Sequence, residues 1–385
     1  MALQNPASSS QAYSASQSAT YILSLDPVID AIRLDDTDLL STLGFTSDDG
    51  MPVTQTKHEW DEDTLNPVTV KATATLGVST GTVLIVSSSQ AARITAGTLL
   101  RDQLSGKTEV LQVIARSGVS ATVTRAYGGT QAAHGATATY DIVSNARPQG
   151  MDAPKDESVA RTRNYNYTQI FSKGVNITGT AEAIKHNGLN SESAYQADAR
   201  TRELMRELDR TAIMGVRAPN NAASTTYGTM GGLYDFINVS GGNTNSTAEY
   251  ITPNVINDMC GQVYDDGGTP NCIVVGSVQR RKISAFDKEF RRSTMDTRRA
   301  GFYIEEFVSD LGVNLQIVLD RWVPSDTCFV IDTNRIKIKP LQGRGFFLEK
   351  LARTGDADKW QIVGEYTMEV KNGSKAHAIH TNLKQ

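Results

Sequence analysis

Ser191–Met214, SESAYQADARTRELMRELDRTAIM, is the longest stretch of this chain that keeps one helical period. Apolar or small residues return at Ala194, Ala197, Thr201, Leu204, Leu208 and Thr211, with Met205 and Ala212 widening the stripe, so one face is reserved for packing. On the other face Asp198 and Arg202, Arg200 and Glu203, Glu203 and Arg206, and Glu207 and Arg210 stand three or four apart. At those spacings opposite charges contribute roughly 0.2 to 0.5 kcal/mol each. Asn190 or Ser191 offers an N-cap oxygen, and Gly215 and Pro219 stop the pattern. About 24 residues at roughly 1.5 Å per residue make a rod of about 36 Å, long enough to span a domain.

Around that rod lie 385 residues, more than one hydrophobic core usually organises, so two or three domains are expected. The 38 basic and 42 acidic residues leave a net charge of −4, which argues against a free-standing, strongly basic nucleic-acid binder. Cys260, Cys272 and Cys328 have no CxxC spacing and no histidine nearby in sequence, so neither a disulfide framework nor a zinc site is indicated; free thiols in a reducing cytosol fit. The N-terminus lacks the charged start and apolar core of a secretory signal. No apolar run approaches the roughly 18 residues of a membrane helix, and an intracellular product without a membrane partner is expected.

Residues 1–20 are rich in Ser, Ala and Gln, a composition that buries too little apolar surface to order without a partner, and read as an arm. Across Tyr21–Phe45 the pattern predicts short helices broken near Pro27 and Asp35. Val53–Trp60 (VTQTKHEW) and Val159–Phe171 (VARTRNYNYTQIF) are polar-alternating strand candidates expected to pair as a solvent-reaching ribbon. In the second, Arg161, Arg163, Tyr165, Tyr167 and Phe171 share one face. Between them, Val68–Val143 alternates short β-branched runs with Gly and Ser turns and reads as a small inserted β-domain. After the rod, Asn220–Asn245 reads as a long loop. Cys272–Val275 is a buried-type strand followed by a helical pattern over Val278–Arg292, and strands recur at Asn314–Leu319, Cys328–Ile331, Arg335–Ile338, Trp360–Val370 and Ala376–Ile379. The fold class is α+β.

Candidate chemistry is weak. Gly106, Lys107 and Thr108 resemble a phosphate loop, but Arg101 stands where its first glycine belongs. Gly343 and Gly345 begin a dinucleotide pattern that fails at Leu348. Asp61, Glu62 and Asp63 lack EF-hand spacing, and His377 and His380, three apart in a strand, point to opposite faces. Each cysteine lies in or beside an apolar run, where a thiol is usually an inert small hydrophobe. Two charge sets stand out instead. The acidic one is Asp48, Asp49, Glu59, Asp61, Glu62 and Asp63; the basic one is Arg280, Arg281, Lys282, Lys288, Arg291, Arg292, Arg298 and Arg299. The basic set lacks interleaved aromatics for base stacking. Contact with the acidic segments of another subunit is its leading reading, with a solvated face or phosphate contact as the alternatives.

Leu351–Leu383, LARTGDADKWQIVGEYTMEVKNGSKAHAIHTNL, combines a Thr-Gly-Asp turn, a Gly-Glu-Tyr-Thr strand and an Ala-His-Ala-Ile strand. It resembles the closing segment of one subgroup of tailed-bacteriophage major capsid proteins with the Hong Kong 97 fold. Lys57–Trp60 (KHEW) is similar to the start of that subgroup's extended loop, and Arg125–Thr130 (RAYGGT) to part of its inserted β-domain. The resemblance covers nearly all the chain after about Asp48. It implies an N-terminal arm (1–50), an extended loop (51–180) carrying an insertion at about 68–143, a peripheral-domain spine helix (181–215), an axial domain (216–330) and closing peripheral strands (331–385). It implies a structural protein that self-assembles as hexamers and pentamers into an icosahedral shell around double-stranded DNA, with no catalytic residue, metal or cofactor. Its partners would be further copies of itself, the portal, and scaffolding and decoration proteins, and it would reside in the virion after assembly in the host cytoplasm. The arm looks too short for a fused scaffolding region, and no Lys and Asn pair for isopeptide cross-linking is identifiable. The rival readings are a phage tail or decoration protein, which the rod does not suit, and a cysteine hydrolase, which needs a thiol beside a histidine.

Overall fold

The computed structural model describes residues 37–45, 52–63, 65–66, 68–77, 81–104, 108–150, 158–184, 191–219, 227–239, 241–286, 306–353 and 355–385. Up to the rod the elements are α1 (Asp38–Thr42), β1 (Lys57–Glu62), β2 (Thr69–Lys71), β3 (Val83–Ile85), β4 (Thr98–Asp102), β5 (Val110–Ser117), β6 (Ser120–Gly128), β7 (Thr139–Asn145), β8 (Thr162–Tyr167), β9 (Gln169–Thr178) and α2 (Gly179–Ala183). From the rod onward they are α3 (Glu192–Met214), α4 (Leu233–Ile237), β10 (Asn243–Asn245), α5 (Pro253–Asp265), β11 (Cys272–Val275), α6 (Ser277–Ile283), β12 (Glu306–Val308), β13 (Asn314–Leu319), β14 (Cys328–Ile331), β15 (Ile336–Pro340), β16 (Phe347–Lys350), β17 (Ala357–Val370) and β18 (Ala378–His380). Two compact units result: Met1–Trp60 with Tyr165–Gln385, and Asp61–Asn164.

The rod forms as its pattern requires. Ser191 caps α3 by accepting from the Ala194 amide, and the helix runs to Met214 before Gly215. Burial is confined to its C-terminal half, at Leu204, Leu208, Asp209, Ala212 and Ile213. The pairs Arg200–Glu203 and Asp198–Arg202 form along the exposed face. Glu207 instead meets Lys173 of β9 at 3.1 Å, and the Arg210 guanidinium lies over the Trp322 ring at 5.1 Å. Charges on the rod that could pair locally are thus partly drawn to neighbouring elements.

β11 explains the unbroken apolar run CIVV. It sits inside a six-stranded sheet of order β10-β18-β14-β11-β13-β12, parallel to β13 and antiparallel to β14. Cys272 and Val274 enter one core with α3, while Ile273 and Val275 enter a second core with α5. A strand covered on both faces has no polar side, so period-2 alternation disappears. In the other sheet of this unit β17 runs antiparallel to β9 along one edge and to β15 and β16 along the other.

The structure departs from the sequence reading in three places. β1 and β8 do pair, but the second segment is broken: β9 leaves the ribbon to join β17, burying Phe171, Val175 and Ile177. That half is a core strand, since its apolar residues alternate from Phe171 onward. Asn220–Asn245 is not all loop, because Leu233, Phe236 and Ile237 recur at helical spacing and bury one face of α4, and β10 pairs with β18. The helix expected to reach Arg292 has its described part in α6, which ends at Ile283. Of the short helices expected over Tyr21–Phe45, only α1 falls among the described residues; the arm before residue 37 lies outside them.

The second unit is a small β-barrel. Its strands run in the order β2-β7-β4-β5-β6-β3. An Ala72–Val86 bridge, with Thr73 N donating to Ile85 O and Ser87 N to Lys71 O, joins the outer strands and leaves no long open edge. Val70, Leu84, Leu100, Leu111, Val113, Val123 and Tyr140 fill its own core. Residues 61–164 expressed alone are therefore expected to give a sheet-rich circular dichroism spectrum and one cooperative thermal transition. A fragment without that transition would show that the barrel depends on the larger unit.

Candidate assembly surface at the ribbon root

Each residue of KHEW has a separate job. Trp60 is buried with its ring centroid 5.8 Å from Phe236, fixing the strand to the main core. His58 Nε2 lies 2.9 Å from Glu369 Oε2 on β17. Lys57 Nζ sits 4.5 Å over the Tyr165 ring of β8 and pairs with Glu59 at 2.5 Å. Two side chains point into the body and two stay on the strand's outer face, the alternation a strand requires.

Glu369 is the hub of this root. Its carboxylate, only 3% exposed, meets His58, Lys339 and Lys371. Burial works to raise its pKa, but those three partners hold it well below the carboxylate range. On the same face of β17, Glu365 accepts from Thr168 Oγ1 at 2.6 Å and pairs with Arg344 at 2.9 Å, and Thr367 Oγ1 donates to Tyr167 O. Tyr366, Met368 and Val370 point the other way into the core. Beside them the buried Asn166 of β8 donates through Nδ2 to Met368 O at 2.6 Å and Gly231 O at 3.1 Å, while its Oδ1 accepts from Gly231 N at 2.8 Å. Arg217 pairs with Asp235 at 2.6 Å and lies 4.5 Å over the Phe236 ring. A buried polar face, fully engaged, thus seats both ribbon strands where they leave the body. Sequence reasoning missed Glu365, Glu369 and Asn166; the signal was the strict alternation of GEYTMEV, which sets both glutamates on one side of a strand otherwise apolar.

RAYGGT organises a comparable network inside the barrel. Arg125 makes a two-pronged pair with Glu109, Nε to Oε1 at 2.7 Å and Nη2 to Oε2 at 2.9 Å, and donates to the carbonyls of Gly77, Gly81 and Ala132. Glu109 also accepts from the amides of Ala126 and Ala132. His134 is fully buried between Asp102, 2.6 Å from Nδ1, and Glu109, 3.0 Å from Nε2. Burial would raise the pKa of Glu109, but Arg125, the Ala132 amide, His134 and the Ala126 amide pull it down to about 2. Gly129 is required for close approach: at φ +76° its Cβ position lies 2.0 Å from Thr108 O. The motif holds a fold together.

The two charge sets fare differently. Asp61 pairs with Arg163 of β8 at 3.0 Å, both well exposed, and Glu62 O accepts from Thr162 Oγ1; Asp63 is exposed. Arg281 is exposed, and Lys282 donates to Lys384 O at 2.6 Å while facing the Tyr250 ring. Arg280 is a correction: it is 4% exposed with Nη1 donating to Ile317 O, because it lies on the inward side of the short helix α6, so its charge is used within the subunit. Asp48, Asp49, Lys288, Arg291, Arg292, Arg298 and Arg299 lie outside the described residues.

The enzymatic rival has no ready nucleophile. All three thiols are buried, and burial pushes Cys260 up to about 11, Cys272 up to about 12 and Cys328 higher still, so each stays protonated. His377 Nδ1 accepts from the Asp332 amide, and His380 Nε2 lies 3.0 Å from Glu249. Among the described residues no group of three or more His, Cys, Asp or Glu side chains is placed to hold a metal, and no helix is long and apolar enough to cross a membrane.

The family model described as SU10 major capsid protein matches residues 7–384. The chain belongs to the SU10 major capsid protein family. The resemblance read from the closing segment, KHEW and RAYGGT therefore holds: this is a major capsid protein of a tailed phage, a component of the virion shell. The major capsid protein of Escherichia phage Phieco32 is 20% identical over 291 residues, covering 62% of this chain and 81% of that relative. A solved structure from Microbacterium phage Oxtober96 aligns at 15% identity over 94% of this chain and 96% of its own, with a TM-score of 0.49. The holo-SrpI encapsulin complex from Synechococcus elongatus aligns at 14% identity over 60% of this chain and 80% of its own, with a TM-score of 0.42. The relatives that carry the family name are structural capsid proteins, and a subunit of this family assembles with its own copies.

Proposed function

We propose that copies of this subunit close into hexamers and pentamers of an icosahedral head around double-stranded DNA, and that the β1/β8 ribbon is the extended loop by which each copy reaches a neighbour. The single observation that carries this reading is the ribbon root: buried charge and amide pairing on β17, Asn166 and Trp60 fix the base of two strands whose outer side chains remain exposed. Orienting a polar ribbon so firmly serves little within one subunit and much when a second subunit must meet it. On this reading residues 1–50 are the arm, 181–215 and 331–385 the peripheral domain around the rod, and 216–330 the axial domain. Portal, scaffolding and decoration proteins are its further partners.

The charges select the register of contact more than they add affinity. Asp61, Asp63 and Glu59 on the ribbon side would face Arg281, Lys282, Arg291, Arg292, Arg298 and Arg299 of an adjacent copy, with Asp48 and Asp49 contributing from the end of the arm. An exposed pair contributes only roughly 0 to 1 kcal/mol, but a closed shell repeats it. Reversing Arg291 and Arg292 to Glu is expected to suppress shells in electron micrographs, and reversing Asp61 and Asp63 to Lys in the same chain to restore part of them. Assembly of the wild type should slow once salt shortens the Debye length below about 8 Å. An unchanged salt response together with no rescue would remove the charge sets from the interface.

A further inference from the structure

The barrel carries a cleft of about 510 Å³, a volume typical of small-ligand sites. Its walls come from the residues leading into β2, the end of β7, the approach to β8 and a 3-10 turn at Ala91–Arg93. The turn is held in place: Ala91 and Ile94 are buried in the barrel core, Ala91 N donates to Ser87 O, and Ile94 N donates to Ala91 O. Arg93 therefore stands at a fixed point of the wall. Its Nη1 is buried and meets no acceptor among the described residues. A guanidinium N–H withdrawn from water without a partner is costly, more so than a neutral donor. Asn145 lines the same cleft. Thr98 Oγ1, which accepts from the Thr95 amide, donates to Asn145 Oδ1 at 2.7 Å, so Asn145 Nδ2 stays available as a donor. The rest of the wall is largely apolar: Val68 and Val159 are 68% and 45% exposed, and Ile142 lies beside them, half-buried against the barrel core.

We propose that this cleft binds an aliphatic carboxylate: Arg93 holds the carboxylate, Asn145 Nδ2 supplies a second donor, and Val68, Ile142 and Val159 cover the carbon chain. Charge selects the class of ligand. Among the described residues that line the cleft Arg93 alone is charged, and none is acidic. The nearest carboxylates in sequence and sheet are engaged elsewhere, Asp141 with Gln103 Nε2 at 2.6 Å and Asp102 with His134. A planar guanidinium matches a carboxylate with two parallel hydrogen bonds. A dianionic phosphate calls for a second cation, which the described wall does not offer, and it gains nothing from the apolar side chains. A free short-chain acid and the end of a peptide chain share the chemistry that fits. The site lies wholly within the barrel and does not depend on how subunits meet.

Saturation-transfer difference NMR on the full-length protein, with hexanoate as the probe, tests this directly. Transfer to the hexanoate methyl and methylene protons is expected to saturate with concentration. Hexanamide, of the same shape without the charge, should bind about tenfold more weakly or worse, the effect of losing one charge-assisted hydrogen bond. Arg93→Gln should weaken hexanoate by the same factor, whereas Arg101→Gln, at an exposed arginine of β4, should leave it unchanged. If Arg93→Gln does not fold, Val159→Asp places a like charge on the exposed wall and should give the same loss. Competition by N-acetyl-alanyl-leucine separates the two sources: displacement at lower concentration than hexanoate identifies a peptide end, and at higher concentration a free acid. Absence of saturable transfer, equal binding of hexanoate and hexanamide, displacement by inorganic phosphate at equal concentration, or wild-type binding in a folded Arg93→Gln overturns the proposal.

Discussion

Glu369→Ala is expected to abolish shell formation and to lower subunit stability by about 3 to 5 kcal/mol, the range for breaking a buried ionic network by removing one partner. The carboxylate is the shared partner of His58, Lys339 and Lys371, and Lys339 is itself largely buried, so its loss strands a positive charge that desolvation then penalises. The damage reaches assembly because His58 belongs to β1: the ribbon would keep its pairing with β8 but lose one of the contacts that aims it. Trp60 against Phe236 and Asn166 against Met368 would remain, which predicts a folded, looser subunit rather than an unfolded one. Glu349→Gln is the matched control, an exposed glutamate on β16 whose replacement should stay within about 0.5 kcal/mol of wild type. Denaturant unfolding of the subunit and micrographs of the assembly reaction measure the two effects. A Glu369→Ala protein that loses less than about 1 kcal/mol and still assembles normally would show that the hub is ornamental.

Glu109→Ala is expected to destabilise the barrel by a comparable amount, about 3 to 5 kcal/mol, while leaving the transition of the larger unit in place. Four donors converge on that one carboxylate: Arg125, His134 and the amides of Ala126 and Ala132. Among the described residues, removing it leaves a buried guanidinium held by the carbonyls of Gly77, Gly81 and Ala132. The wild-type pH profile carries the same information. A carboxyl depressed from 4.5 to about 2 contributes its stability in full above about pH 4.5, and that contribution is lost as pH falls through about 2. Glu109→Gln should remove this acid limb. Calorimetry on the full chain from pH 2 to 7 reads both transitions. An unshifted barrel transition in the variant, or an acid limb that survives Glu109→Gln, would relocate the stabilisation elsewhere.

The rod was fully legible because it is long, amphipathic and capped by local residues: Ser191 and Gly215 mark the ends that form. CIVV was legible for the opposite reason, a strand with no polar face. The split of the second ribbon segment at Thr168 was hidden, since polar alternation continues through the point where β8 ends and β9 begins; only the partner, β1 or β17, distinguishes them. α4 was hidden by its length, five residues that offer a single apolar turn within a Gly- and Asn-rich stretch. The ribbon root was half legible. KHEW could be singled out, but its partner Glu369 lies 311 residues from His58, and no local pattern joins them. The same holds for Arg280, whose charge looks available in sequence and proves buried by the direction α6 takes.

Three-dimensional reconstruction of particles formed by the expressed full-length chain tests the central claim most directly. The account predicts closed shells in which the outer side chains of β1 and β8 lie against a neighbouring subunit, with His58 and Glu369 still paired at the root. Shells in which the ribbon projects into solvent and touches no neighbour would contradict it.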